Sequence, residues 1–147
     1  MRFLGLLLLL ALGTGASRAL ADDTSTTQAV LYKNPNCSCC EGYAEYLRQS
    51  GFSVTIKISD DLTRMSSAAG VPEELEGCHV TMIDGYAVVG HVPVEFVRRL
   101  LAEHPQIRGI SIPGMPTGLP GMDGPRNGPI TVYAISDEKK AVYGTVE

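Results

Sequence analysis

Apolar positions along the chain fall into runs, helical spacings and strict alternations, and each pattern predicts an element. Phe3 to Leu12 is an apolar run of about ten residues broken only by Gly5, well short of the roughly 20 that a bilayer span requires. Met1-Arg2 precedes it and the small-x-small triplet Ala19-Leu20-Ala21 follows it. That layout predicts a cleaved secretory signal peptide over 1–21. There is no twin arginine ahead of the run and no cysteine just after the cleavage site, so export in an unfolded state without a lipid anchor is expected. The polar stretch 22–28 is expected to be a flexible arm.

Ala29–Lys33 is a short β-favouring run, read as a buried strand that Asn34-Pro35-Asn36 ends. Cys40, Tyr43, Ala44 and Leu47 then recur at i, i+3, i+4, i+7, the inward face of a helix closed by Gly51. Val54–Ile58 alternates with period two and predicts a second strand. Asp60 or Asp61 can cap a short helix reaching Ala69, ended by Gly70 and Pro72. Val80–Ile83 and Tyr86–Val89 flank Asp84-Gly85, a strong hairpin signal. Pro93 opens a third helix with Val94, Val97, Leu100 and Leu101 on one face, stopped at Pro105. The first two strands, joined through a helix, should be parallel. Residues 109–129 are rich in Gly and Pro and predict neither helix nor strand, so this long connection is either disordered or functional. Thr131–Ser136 and Ala141–Val146 read as a terminal hairpin. The order β-α-β-α-β-β-α predicts a thioredoxin-like α/β sandwich over 29–147, with a Gly/Pro/Met-rich loop and a C-terminal β-hairpin.

Charge narrows the partners. The chain carries a net charge of −4, and removing the leader takes away Arg2 and Arg18 and no acid. An acidic surface disfavours nucleic acid and anionic membranes. No nucleotide-binding loop, Ser-His-Asp set or carboxylate pair suited to hydrolysis is present, and Asp60-Asp61 and Glu73-Glu74 read as caps or solvated charge.

The chemistry lies in the four cysteines. Cys37, Cys39 and Cys40 fall at the turn between the first strand and first helix, and Cys78 stands directly before His79. A helix N-terminus favours thiolate, the nucleophilic and metal-ligating form. Cys37 and Cys40 have the C-x-x-C spacing of redox pairs and zinc sites alike. Cys39 argues against the redox reading, since a dithiol catalyst gains nothing from a third adjacent thiol. Thioredoxin-like redox enzymes place a cis-proline before the third strand, where this chain has Gly77-Cys78-His79. The fold would thus bring Cys78 to the other three. As structural disulfides, only Cys37–Cys40 with Cys39–Cys78 avoids very small rings. As ligands, four thiolates suit tetrahedral Zn²⁺ or the softer Cu(I).

Met115 and Met122 sit among glycines and prolines, a mobile, non-core context in which a ligand or lid role is expected; Met65 and Met82 are expected in the core. Thioethers resist disulfide loss in an oxidising compartment, which favours copper. His79 and His91 are further candidate ligands, whereas His104 at the end of the third helix reads as a cap.

Tyr32-Lys33-Asn34-Pro35-Asn36-Cys37-Ser38-Cys39-Cys40, Gly70-Val71-Pro72-Glu73-Glu74-Leu75, Cys78-His79, Asp84-Gly85-Tyr86, Gly90-His91-Val92-Pro93 and Pro113-Gly114-Met115-Pro116 through Pro120-Gly121-Met122 occur in order. Over Ala29 to Val146 the chain resembles the periplasmic copper-resistance family called CopG. The resemblance implies a thioredoxin-like fold and copper held by Cys37, Cys39, Cys40 and Cys78, with a multinuclear Cu(I)–thiolate cluster as one form. Met115, Met122, His79 and His91 match family motif positions. Ser38 replaces a common glycine and Leu119 a common small residue. The expectation is a periplasmic copper-binding protein for copper tolerance, with Cu(I)/Cu(II) cycling and other periplasmic copper-handling proteins as partners. Two alternatives stand beside it: a thiol–disulfide oxidoreductase using Cys37 and Cys40, and a structural zinc domain.

Overall fold

A computed structural model describes residues 26–137 and 140–147. The expected signal peptide and most of the expected arm lie outside the described residues. Strands β1 (Gln28–Lys33) and β2 (Ser53–Ile58) flank helix α1 (Ser38–Gln49). Helix α2 (Leu62–Ala68) and a 3₁₀ turn (Glu73–Leu75) lead into the hairpin β3 (His79–Ile83) and β4 (Tyr86–Val89). Helix α3 (Val94–Glu103) precedes β5 (Gly109–Ser111), β6 (Ile130–Ile135) and β7 (Ala141–Val146). Among the described residues no helix is long and apolar enough to cross a membrane.

Local chemistry sets these boundaries. The Asp61 side chain caps α2 by accepting from the Arg64 N–H. Asp84 and Gly85 both adopt positive φ, 47° and 81°, as a two-residue hairpin turn with the twist of its strands requires. His104 ends α3 in the left-handed backbone conformation.

All seven strands form one sheet in the order β2-β1-β3-β4-β5-β6-β7. As expected, β1 and β2 run parallel and β3 and β4 antiparallel. Helices cover both faces. Tyr43, Leu47, Val97 and Leu100 of α1 and α3 pack with Leu31, Ile83, Val88 and Ile110. Leu62 of α2 and Leu75 pack with Val80, Ala87, Val89 and Ile135 on the opposite face. Strands β1, β3, β4 and β6 thus divide their side chains between two apolar layers.

The Gly/Pro-rich segment corrects the sequence reading at two points. Gly109–Ser111 is a strand, parallel to β4 and antiparallel to β6, so the terminal hairpin extends the main sheet. A three-residue strand is too short to carry a readable period. Nor is the segment wholly outside the core: Ile112 and Leu119 are buried in the same apolar layer as α1. Turns at Gly118 and Gly121, both with positive φ, fold it back onto that helix. A Cβ on Gly121 would meet the backbone of Gly42 and Tyr43, so glycine is what allows the close approach.

Candidate metal centre

The sheet register builds the site. In the antiparallel pairing of β1 with β3, Lys33 lies opposite His79. The last residue of β1 therefore sits beside the first of β3, and Cys78 falls next to the Asn34–Cys37 turn. Cys37 is the N-cap of α1, with no side chain capping the helix, and Cys39 and Cys40 lie in its first turn. The four sulfurs of Cys37, Cys39, Cys40 and Cys78 all lie within 4.8 Å of one another. Two distant stretches of sequence thus meet in one thiol cluster.

Cys37 and Cys40 are joined as a disulfide, while Cys39 and Cys78 are free. The Cys39 sulfur is 3.5 Å from that of Cys37. Cys40 is wholly buried, its sulfur 3.4 Å from the Cys78 carbonyl oxygen. Burial pushes the Cys78 thiol up to about 12, and the adjacent Cys39 adds to the rise. Metal binding there has to displace a proton.

Both candidate histidines reach Cys78. Its sulfur is 3.4 Å from His79 Nδ1 and 3.3 Å from His91 Nε2, and the three ligand atoms also cluster within 4.8 Å. Gly90, at φ 71°, turns the chain after β4 and brings His91 back to β3. His91 Nδ1 lies 2.7 Å from the Pro120 carbonyl oxygen, which can only accept, so Nδ1 carries the proton and Nε2 presents its lone pair to Cys78. Burial lowers the His91 pKa. Burial, followed by the neighbouring His91, holds His79 down to about 3. Both imidazoles are therefore neutral near pH 7, the form that ligates metal. Tyr43 packs on both rings, with centroids 4.8 Å from His79 and 5.4 Å from His91, and its hydroxyl donates to the Val92 carbonyl at 2.8 Å.

The methionines separate. Met115, 59% exposed, lines a cavity of about 450 Å³ with Asn34, Pro35, Cys37, Cys39 and Cys78. Met122 packs against the core and lines a different cavity, beside Tyr46 and Pro93. Met82 packs against the second apolar layer, and Met65 lines a small pocket over it. Tyr43, a helix-face residue by its spacing, and Lys33, the end of a strand, also border the site. The Lys33 signal was its period: it shares the inward face of β1 with Ala29 and Leu31.

The family described as "Protein of unknown function, DUF411" matches residues 75–122, which span Cys78, both candidate histidines and both methionines. No curated protein matches the chain. Two solved structures, described as "Copper resistance protein copG- Form 1" and "Form 2", are each 32% identical to it. Each alignment covers 82% of this chain and 98% of the other, with a TM-score of 0.76. The chain belongs to the CopG copper-resistance family. The alignments span nearly the whole of the CopG structures, so the likeness extends through the mixed α/β sheet as well as the cysteine region.

Proposed function

We propose that this protein is exported to the periplasm and binds copper as Cu(I) in copper tolerance. The convergence of four cysteine sulfurs within 4.8 Å carries the reading. Reduced, they offer four soft ligands able to bridge more than one Cu(I), a softer ion than Zn²⁺. The neutral His79 and His91, each with a ring nitrogen against the Cys78 sulfur, extend the donor set on the buried side. Met115 offers a thioether at the rim, whereas Met122 belongs to the covering loop. The N-terminus of α1, without a side-chain cap, favours the thiolates. Two electrons and two protons must first open the Cys37–Cys40 bond. Electron exchange between bound Cu(I) and Cu(II) is the further part of the proposal.

Anaerobic titration of reduced protein against a Cu(I)-specific chelator should give several equivalents of Cu(I) per chain. Cys78→Ser should weaken binding as severely as Cys37→Ser. No binding in competition with the chelator refutes the reading. Reversible oxidation of the loaded protein without release of copper tests the electron exchange.

The Cys37–Cys40 bond at a helix N-terminus favours one second reading, a thiol–disulfide oxidoreductase. That reading predicts reductase activity lost in Cys37→Ser and retained in Cys78→Ser.

A further inference from the structure

Lys33 is an anomaly in the core. It occupies an inward position of β1 where Ala29 and Leu31 are apolar, and it is 1% exposed. A buried ammonium is costly unless paired and hydrogen-bonded. Its Nζ meets acceptors from the cysteine turn: the carbonyl oxygens of Pro35 and Cys37 at 3.2 Å and of Asn34 at 3.4 Å. Its carboxylate partner is Glu41 of the first turn of α1, at 3.1 Å. These four groups only accept, which suits an ammonium with three protons to share among them and no lone pair. Glu41 is 63% exposed, so solvent weakens its hold on the charge, whereas the ammonium is shielded beneath the turn.

We infer that Lys33 is the positioning residue of the cysteine turn and the local countercharge for its thiolates. It gathers the turn's carbonyls around one buried cation and favours the anionic, reduced Cys37 and Cys40 over their uncharged disulfide. The countercharge role in metal binding rests on the copper reading above; the effect on the thiol–disulfide balance does not. A purely structural Lys33 would make removal of either partner in the Lys33–Glu41 pair act in one direction, by loosening the turn. A countercharge makes the two removals act in opposite directions, because losing Lys33 removes positive charge and losing Glu41 uncovers it.

The test uses the full mature protein as wild type, Lys33→Met, Lys33→Arg and Glu41→Gln. Each is equilibrated with glutathione, two molecules of which supply the two electrons that open the Cys37–Cys40 bond and leave as glutathione disulfide, their two protons passing to the released sulfurs or, where these stay thiolate, to the buffer. The dithiol fraction is read by alkylation and mass spectrometry. Lys33→Met should shift this equilibrium about tenfold toward the disulfide, and Lys33→Arg should restore most of the shift. Glu41→Gln, altering an exposed side chain, should move it about twofold to threefold toward the dithiol. Cu(I) affinity against the chelator should rank the variants in the same order. Equal shifts in the same direction for Lys33→Met and Glu41→Gln, or no shift in Glu41→Gln, overturn the inference, and Glu41→Gln decides it even if Lys33→Met fails to fold. Wild type unable to bind Cu(I) would sink the copper reading while leaving the glutathione result to judge Lys33.

Discussion

Acid should destabilise the metal-free protein through His79. Burial holds its imidazole down to about 3, and His91 beside it acts in the same sense. In the unfolded chain a histidine titrates near 6.5. Because the folded value is the depressed one, this contribution is fully present above about pH 6.5 and is lost as pH falls toward 3. At pH 5.0 the unfolded state is protonated at this site and the folded state is not, a gap of about 1.5 logarithmic units, or about 2 kcal/mol. His91, whose pKa is also lowered by burial, adds in the same direction. The assay is urea unfolding of disulfide-intact protein at pH 7.5 and 5.0, followed by far-ultraviolet circular dichroism. His79→Gln removes the titrating group, and most of the His79 share of the pH difference should vanish with it, whatever the variant costs at pH 7.5. Carboxylates ordinarily titrate below this window, so they contribute little to the comparison. An equal pH difference in wild type and His79→Gln would refute the argument, as would a wild-type difference below about 0.5 kcal/mol.

Three further predictions concern the surroundings of the site. Tyr43→Phe leaves the Val92 carbonyl without its buried donor and should cost about 1–2 kcal/mol in denaturant unfolding; an unchanged midpoint would show that the hydroxyl holds nothing. Gly121→Ala combines φ of 76° with a Cβ pressed on the Tyr43 and Gly42 backbone and should cost about 2 kcal/mol or more. Gly124→Ala, at φ 86° but meeting only the Thr117 side chain at ordinary contact distance, should cost roughly half as much, and equal losses would remove crowding from the explanation. Cys78, pushed up to about 12, should react with iodoacetamide at pH 8 at least about a hundredfold more slowly than a free cysteine, recovering ordinary reactivity in denaturant. Rapid native labelling, mapped by mass spectrometry, would show that this thiol is already ionised.

Much of the frame was legible because its signals are local. The Cys40-Tyr43-Ala44-Leu47 spacing anticipates the buried face of α1 residue for residue, and Asp84-Gly85 marks the β3–β4 turn. β5 was missed because it has too few residues for a period and is held by β4, which ends at Val89, and β6, which begins at Ile130, each across a long connection. Met115 and Met122 looked equivalent, sharing the same glycine and proline context. Their surroundings differ because the turns at Gly118 and Gly121 lay the chain between them against α1. The buried Leu119 accompanies that fold-back.

For the site, sequence alone placed Cys37, Cys39 and Cys40 together, since three thiols within one strand-to-helix turn stay close in any fold that preserves the turn. It also named Cys78, His79 and His91. Tertiary structure decided how these meet: the Lys33–His79 register sets Cys78 beside the turn, and the Pro120 carbonyl selects the His91 nitrogen that faces it. The same packing turned Lys33 from a strand end into a buried cation beneath the cysteine turn. Helical and strand periods reveal which side of an element faces inward. What a side chain meets there depends on strand register and long-range packing, which no local window of sequence contains.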